Sequence, residues 1–225
     1  MDQMGLSLRF LTYGALRVIG KAIAVLAVIA GVARAEDVAV LALGDSLTQG
    51  YGLPQEDGFV PQLSAWLTAQ GADVQVINGG VSGDTTAGGA ARVAWSLTPE
   101  VDAMIVALGG NDLLRGIAPE VARANLDAIL TEARARDLPV LLIGMQAPGN
   151  YGADYKASFD AIYPELAEKH GALYAESFFA GLPETDPAEL SAYLQADGIH
   201  PNAKGVTLIV EGLGPEVMKL LAAIE

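Results

Sequence analysis

The sequence predicts an α/β fold, a three-layer α/β/α sandwich around a central parallel sheet of about five strands. Three observations carry that expectation. Five short apolar runs recur with longer helical patterns between them, each run is predominantly apolar, and a glycine-bearing motif follows each of the first four. Strands covered on both faces read as continuous apolar runs, and strands that alternate with helices pair in parallel.

In chain order, the first 35 residues stand apart. Arg9, Arg17 and Lys21 precede the apolar run "AIAVLAVIAGV" at 22–32, and "ARA" follows at 33–35. A charged start, a short apolar stretch and small residues at the end are the pattern of a secretory signal peptide. The run falls well short of the roughly 20 residues needed to span a bilayer. Cleavage after Ala35 is the expectation, with an uncleaved anchor as the alternative. Residues 36–225 are then expected to form one domain.

The predicted strands are "VAVLAL" (38–43), "VQVIN" (74–78), "AMIVAL" (103–108), "PVLLIGM" (139–145) and "ALYAE" (172–176). Helices are expected near 59–70, 86–97, 118–136, 155–170 and 203–223. The third of these carries Pro119 near its start and apolar positions at Val121, Leu126, Ile129 and Leu130, so it should bury one stripe. No internal repeat or Pro/Ser-rich linker marks a second domain. In such a sheet ligands bind beyond the carboxyl ends of the strands, which is where "GDS", "GGVSGDTT", "GGND" and "APGNYG" fall.

Composition narrows the function classes. Thirteen Lys and Arg stand against 27 Asp and Glu, net −14, a balance that repels phosphate backbones and excludes nucleic acid as the expected partner. Removing residues 1–35 deletes four basic residues and Asp2, leaving 9 basic against 26 acidic and net −17. There is no cysteine, hence no disulfide framework, no thiolate metal site and no lipid-bearing cysteine.

The chemistry is expected in the loops. A serine hydroxyl needs a base to take its proton, and the base needs a third group to fix its tautomer. Ser46, in "ALGDSLTQGYG", is the candidate nucleophile. Of the two histidines, His170 sits before Gly171 at a helix end, an ordinary structural place. His200 lies in "QADGIHPNAKG", three residues after Asp197. Alone that stretch reads first as a turn, but alongside Ser46 it offers a base and its orienting carboxylate. Asn111 in "GGNDLLRG" and Gly83 in "GVSGDTT" could supply donors to an oxyanion, each reading otherwise as turn chemistry. Asp45 and Asp112 are expected to fix loops. There is no G-x-S-x-G, dinucleotide fingerprint or phosphate loop, and no zinc pattern; a carboxylate calcium site stays open, although no twelve-residue loop of that form occurs.

The four blocks "GDSL", "GGVSGD", "GGND" and "DGIHPN", in that order and spacing, resemble the SGNH, or GDSL, hydrolase superfamily. "QAPGNYGADY" and "FDAIYPELAEKHG" are similar to stretches in its secreted bacterial thioesterase I/lysophospholipase L1 and arylesterase group. The resemblance implies a flavodoxin-like fold, Ser46 as nucleophile, His200 as general base and then acid, and Asp197 as its orienter. It also implies an oxyanion hole from the backbone N–H groups of Ser46 and Gly83 with the Asn111 amide. Gly79 and Gly80 stand where relatives often carry other small residues. The expected activity is cofactor-independent hydrolysis of a small acyl ester, thioester or lysophospholipid in the periplasm or outside the cell, with no stable membrane span after processing. A carbohydrate acetylesterase, or a binding module that has lost turnover, are the rival readings.

Overall fold

The computed structural model describes residues 38–183 and 186–224. The expected signal segment 1–35 lies outside the described residues.

The first strand, β1 (Val38–Gly44), has no side chain that prefers water, and all but Val38 are buried. After a short helix α1 (Ser46–Gln49) and helix α2 (Phe59–Ala69), β2 (Val74–Gly80) pairs with β1 in parallel, from Val38 opposite Val74 to Gly44 opposite Gly80. Helix α3 (Thr86–Ser96) is capped by the Thr85 side chain and returns the chain to the other side of β1. There β3 (Ala103–Ala107) pairs from Val40 opposite Ala103 to Gly44 opposite Ala107.

Short helix α4 (Gly110–Leu114) and helix α5 (Pro119–Arg134), with Pro119 in its first turn, lead to β4 (Val140–Ile143). Helices α6 (Ala153–Asp160) and α7 (Ile162–His170) precede β5 (Leu173–Ala175). A one-turn helix α8 (Pro187–Leu190) and the long α9 (Ala203–Leu221) complete the described chain.

The strand order is β2-β1-β3-β4-β5, all parallel. Helices α2 and α9 pack together as one outer layer, and α3, α5 and α7 as the other. The described residues therefore form a three-layer α/β/α sandwich with five parallel strands. One apolar core joins the layers: Leu63 and Leu67 of α2 with Leu213 and Val217 of α9 on one side, Leu126 and Ile129 of α5 on the other. Leu126 is fully buried. Leu126→Ala should destabilise the protein by about 2–5 kcal/mol, the range for deleting a buried leucine side chain; urea denaturation monitored by circular dichroism checks this.

Val121, expected in the buried stripe of α5, is exposed instead, because the stripe at helical spacing runs through Ala122, Leu126, Ile129, Leu130 and Ala133 and leaves Val121 off that face. Two further departures from the sequence expectation have physical reasons. The helix expected over 155–170 is broken between Asp160 and Ile162, because Pro164 lacks an N–H and its ring conflicts with the carbonyl four residues back. Strand β2 is only partly buried, with Gln75 and Asn78 exposed, because it forms an edge of the sheet.

Candidate active site

From β1 the chain moves to one neighbour, β2, and then crosses to the other, β3. The carboxyl ends of β1 and β3 thus flank the point where the strand order reverses. The loops after these strands carry Ser46 and Asn111, the loop after β2 carries Gly83, the loop before α9 carries Asp197 and His200, and Ser46, Gly83, Asn111 and His200 line one cleft there.

Ser46 opens α1 directly after the buried Asp45, whose Oδ1 accepts from the Leu47 N–H at 3.0 Å. The Ser46 N–H belongs to the first turn of that helix, where N–H groups have no partner within the helix. Asn111 lies in the first turn of α4, and its Nδ2 donates to Asp45 Oδ2 at 3.2 Å. An amide nitrogen has two N–H groups, so this bond leaves one to aim into the cleft. Asp112, fully buried, accepts from the Thr86 N–H at 2.8 Å and Oγ at 2.6 Å, pinning α4 to the N-terminus of α3. Both aspartates therefore fix loops.

Gly83 has φ of 79°, a conformation that disfavours any residue with a Cβ. Its loop is tied on both sides. Arg115 Nη2 donates to Gly83 O at 2.8 Å, and Arg92 bridges Asp84 (2.7 Å) to the carbonyl of Gly44 (2.8 Å). Arg92 and Arg115 were not singled out from the sequence, although Arg115 stands inside "GGNDLLRG".

His200 and Asp197 sit on the loop before α9. The Asp197 Oδ1 accepts from the N–H groups of Ile199 (2.9 Å) and His200 (3.0 Å), and its Oδ2 lies 2.7 Å from His200 Nδ1. The other ring nitrogen, Nε2, lies 2.8 Å from Ser46 Oγ. With Nδ1 protonated and donating to Asp197, Nε2 is the acceptor for the serine hydroxyl. His170 is remote from this cluster: it ends α7, with Nε2 2.6 Å from Asp127. Among the described residues no group of three or more His, Cys, Asp or Glu could hold a metal ion.

The two carboxylates are tuned in opposite directions. The hydrogen bond from His200, with the N–H groups of Ile199 and His200, pulls Asp197 down to about 2, so it is anionic across the neutral range. Burial pushes Asp45 up from 3.8 to about 6, opposed by its bonds from Leu47 and Asn111. Because the folded-state value lies above the unfolded one, Asp45 favours folding below pH 3.8, and that contribution is lost as pH rises through 6. The shift corresponds to about 3 kcal/mol. Asp45→Asn should therefore flatten the fall in stability between pH 4 and 7; denaturation midpoints across that interval test it.

A cleft of about 1100 Å³ opens beside Ser46, walled by Leu114, Tyr151, Phe179, Leu182 and Ile199 among others. The loops "GNYG" and "FFAGLP" both reach it.

Comparison with known proteins gives a consistent picture. The GDSL-like Lipase/Acylhydrolase family matches residues 42–208. Esterase TesA of Pseudomonas aeruginosa is 37% identical over 183 residues, covering 81% of this chain and 89% of that protein. Thioesterase 1/protease 1/lysophospholipase L1 of Escherichia coli K12 is 33% identical over 184 residues, covering 81% and 84%. The crystal structure of AlinE4, a SGNH-hydrolase family esterase, superimposes with a TM-score of 0.67 at 42% identity, covering 84% of this chain and 99% of that one. The fold, the four ordered motifs and these matches agree: the chain belongs to the GDSL-like lipase/acylhydrolase family.

Proposed function

We propose that the protein is an exported serine esterase that hydrolyses acyl esters or thioesters through an acyl-enzyme. The observation that carries this reading is the unbroken relay from Asp197 through His200 to the Ser46 hydroxyl, with bonds of 2.7 and 2.8 Å.

In this mechanism Ser46 Oγ attacks the substrate carbonyl carbon while His200 Nε2 takes its proton. Asp197 stabilises the imidazolium without itself becoming protonated. Charge builds on the former carbonyl oxygen, and the N–H groups of Ser46 and Gly83 with the free N–H of Asn111 are the donors assigned to stabilise it. Collapse expels the alcohol or thiol, which leaves with the proton from His200, and the acyl group stays on Ser46. Water then attacks the acyl-enzyme as His200 takes one of its protons, and the acid departs when His200 returns a proton to Ser46 Oγ. No cofactor enters.

Support for the substrate class comes from the apolar walls of the cleft and from relatives named as esterase and as thioesterase and lysophospholipase. The acetylesterase reading differs in the alcohol portion, so rates on acetylated sugars against p-nitrophenyl acyl esters of increasing chain length separate the two. Incubation with a fluorophosphonate tests the nucleophile: one adduct per chain should map to Ser46 and vanish in Ser46→Ala. An adduct elsewhere, or none, would reject the reading.

Losing one oxyanion donor typically lowers kcat by about 10²- to 10³-fold. Asn111→Ala should show that loss with little change in KM, and a native kcat would remove Asn111 from the site. Export rests on residues 1–35; mass analysis of periplasmic material should find a mature chain beginning at Glu36. Among the described residues no helix is long and apolar enough to cross a membrane.

A further inference from the structure

Ser46 and His200 lie 154 residues apart in the chain, yet proton transfer between them needs Oγ and Nε2 held at hydrogen-bond distance. Ser46 is fixed by the sheet through β1. His200 stands on an irregular loop, so its position needs another tie.

Gln195 supplies it. The Gln195 backbone N–H donates to the His200 carbonyl at 2.7 Å. The side-chain Nε2 donates to Tyr51 O at 2.8 Å and to Pro201 O at 3.0 Å. Tyr51 in turn donates its N–H to the carbonyl of Ser46 at 3.1 Å. These bonds close a circuit that runs Ser46, Tyr51, Gln195, His200 and back to Ser46. The side chain of Gln195 fits because residue 52 is glycine. A Cβ at Gly52 would stand 2.3 Å from Gln195 Oε1, and its φ of 74° independently disfavours a side chain.

Tyr51 adds a second restraint. Its ring lies 4.7 Å from the His200 ring, centre to centre, tilted by 40°. The side chain remains 50% exposed, so core burial does not account for its place. A ring at that distance limits rotation of the imidazole, and its electron-rich face attracts the cation that forms when His200 takes a proton.

We propose that Gln195 and Tyr51 are positioning residues that clamp the His200 imidazole against the Ser46 hydroxyl, Gln195 setting the spacing of the two loops and Tyr51 the tilt of the ring. The proposal rests on the assignment of Ser46 and His200 as nucleophile and base. It predicts losses in kcat and in the reactivity of Ser46, because the clamp acts on proton transfer, and little change in KM.

The test compares the native chain with Gln195→Met, Gln195→Glu, Tyr51→Ala and Tyr51→Phe. Three quantities are measured: kcat and KM on a p-nitrophenyl acyl ester, the rate of Ser46 labelling by a fluorophosphonate, and the melting temperature. Gln195→Met keeps the length of the side chain without its donors, and a misplacement approaching 1 Å should lower kcat and the labelling rate together by up to about 10²-fold. Gln195→Glu sets a carboxylate against two carbonyl oxygens and should fall lower still. Tyr51→Ala should lose roughly 3- to 10-fold in both rates, and Tyr51→Phe, which keeps the ring, should recover most of it.

Native kcat and labelling rate in folded Gln195→Met and Tyr51→Ala, with only KM raised, would limit both residues to substrate binding and overturn the clamp. So would a Tyr51→Phe variant as slow as Tyr51→Ala. Should Gln195→Met fail to fold, the two Tyr51 variants, altered at a half-exposed side chain, decide. Failure of the native chain to label at Ser46 would instead reject the assignment beneath the proposal.

Discussion

His200→Ala is expected to lower kcat by about 10⁶-fold, because removing the base of a serine–histidine unit forfeits nearly everything the unit contributes. The His200 side chain is the group that reaches Ser46 Oγ, at 2.8 Å, and no other imidazole is near enough to substitute. What remains should be the acceleration from binding and from the oxyanion donors, which do not depend on the base. Ser46→Ala should fall to the same floor, and the double variant should be no worse than either single one, since the two side chains act as one device. Initial rates on a p-nitrophenyl acyl ester at saturating substrate give the comparison. An additive double variant would mean that Ser46 and His200 work separately.

Asp197→Asn should lower kcat by up to about 10⁴-fold while the fold persists. The carboxylate receives three hydrogen bonds from its own loop: the N–H groups of Ile199 and His200, and His200 Nδ1. An asparagine can keep the backbone bonds through its oxygen. It then presents N–H toward Nδ1, which favours the tautomer with the proton on Nε2, the one unable to accept from Ser46. Geometry survives and protonation does not. Circular dichroism of the variant should match the native chain while kcat collapses; a kcat within tenfold of native would mean that Asp197 does no more than shape the loop.

How much of this was legible in the sequence depended on range. β1, β3 and β4 were readable because a strand covered on both faces must be apolar at every position, and VAVLALG, AMIVA and VLLI are. The partial exposure of β2 left a trace in Gln75 and Asn78 of VQVIN, but strand order, not composition, makes it an edge. The break at Pro164 was readable in principle and was missed, since the apolar spacing on either side of it suggested one helix. Helices α1 and α4, of 4 and 5 residues, are too short to show a period.

The site divides in the same way. Ser46, Gly83, Asn111, Asp197 and His200 fall in short motifs whose residue types state their chemistry. The residues that hold those motifs together act on backbone carbonyls far along the chain. Arg92 binds Gly44 O, Arg115 binds Gly83 O, and Gln195 binds Tyr51 O, at separations of 48, 32 and 144 residues. Every residue has a carbonyl, so such a contact leaves no mark on the sequence of its acceptor.

The central assignment, His200 as base and His170 as structure, is tested most directly by kcat/KM from pH 5 to 9 for the native chain, His170→Ala and His200→Ala. Imidazole is the side chain that ordinarily changes charge within that interval, and a base must be neutral to act. Two carboxylates act on His200: Asp197, held anionic, and Asp45, which itself changes charge near 6. Including Asp45→Asn therefore separates its contribution to the profile. The account predicts a rise in kcat/KM with pH in the native chain, the same rise at nearly native rate in His170→Ala, persistence of the rise in Asp45→Asn, and its absence from the residual activity of His200→Ala. An inactive His170→Ala beside a His200→Ala that keeps the acid limb would contradict it.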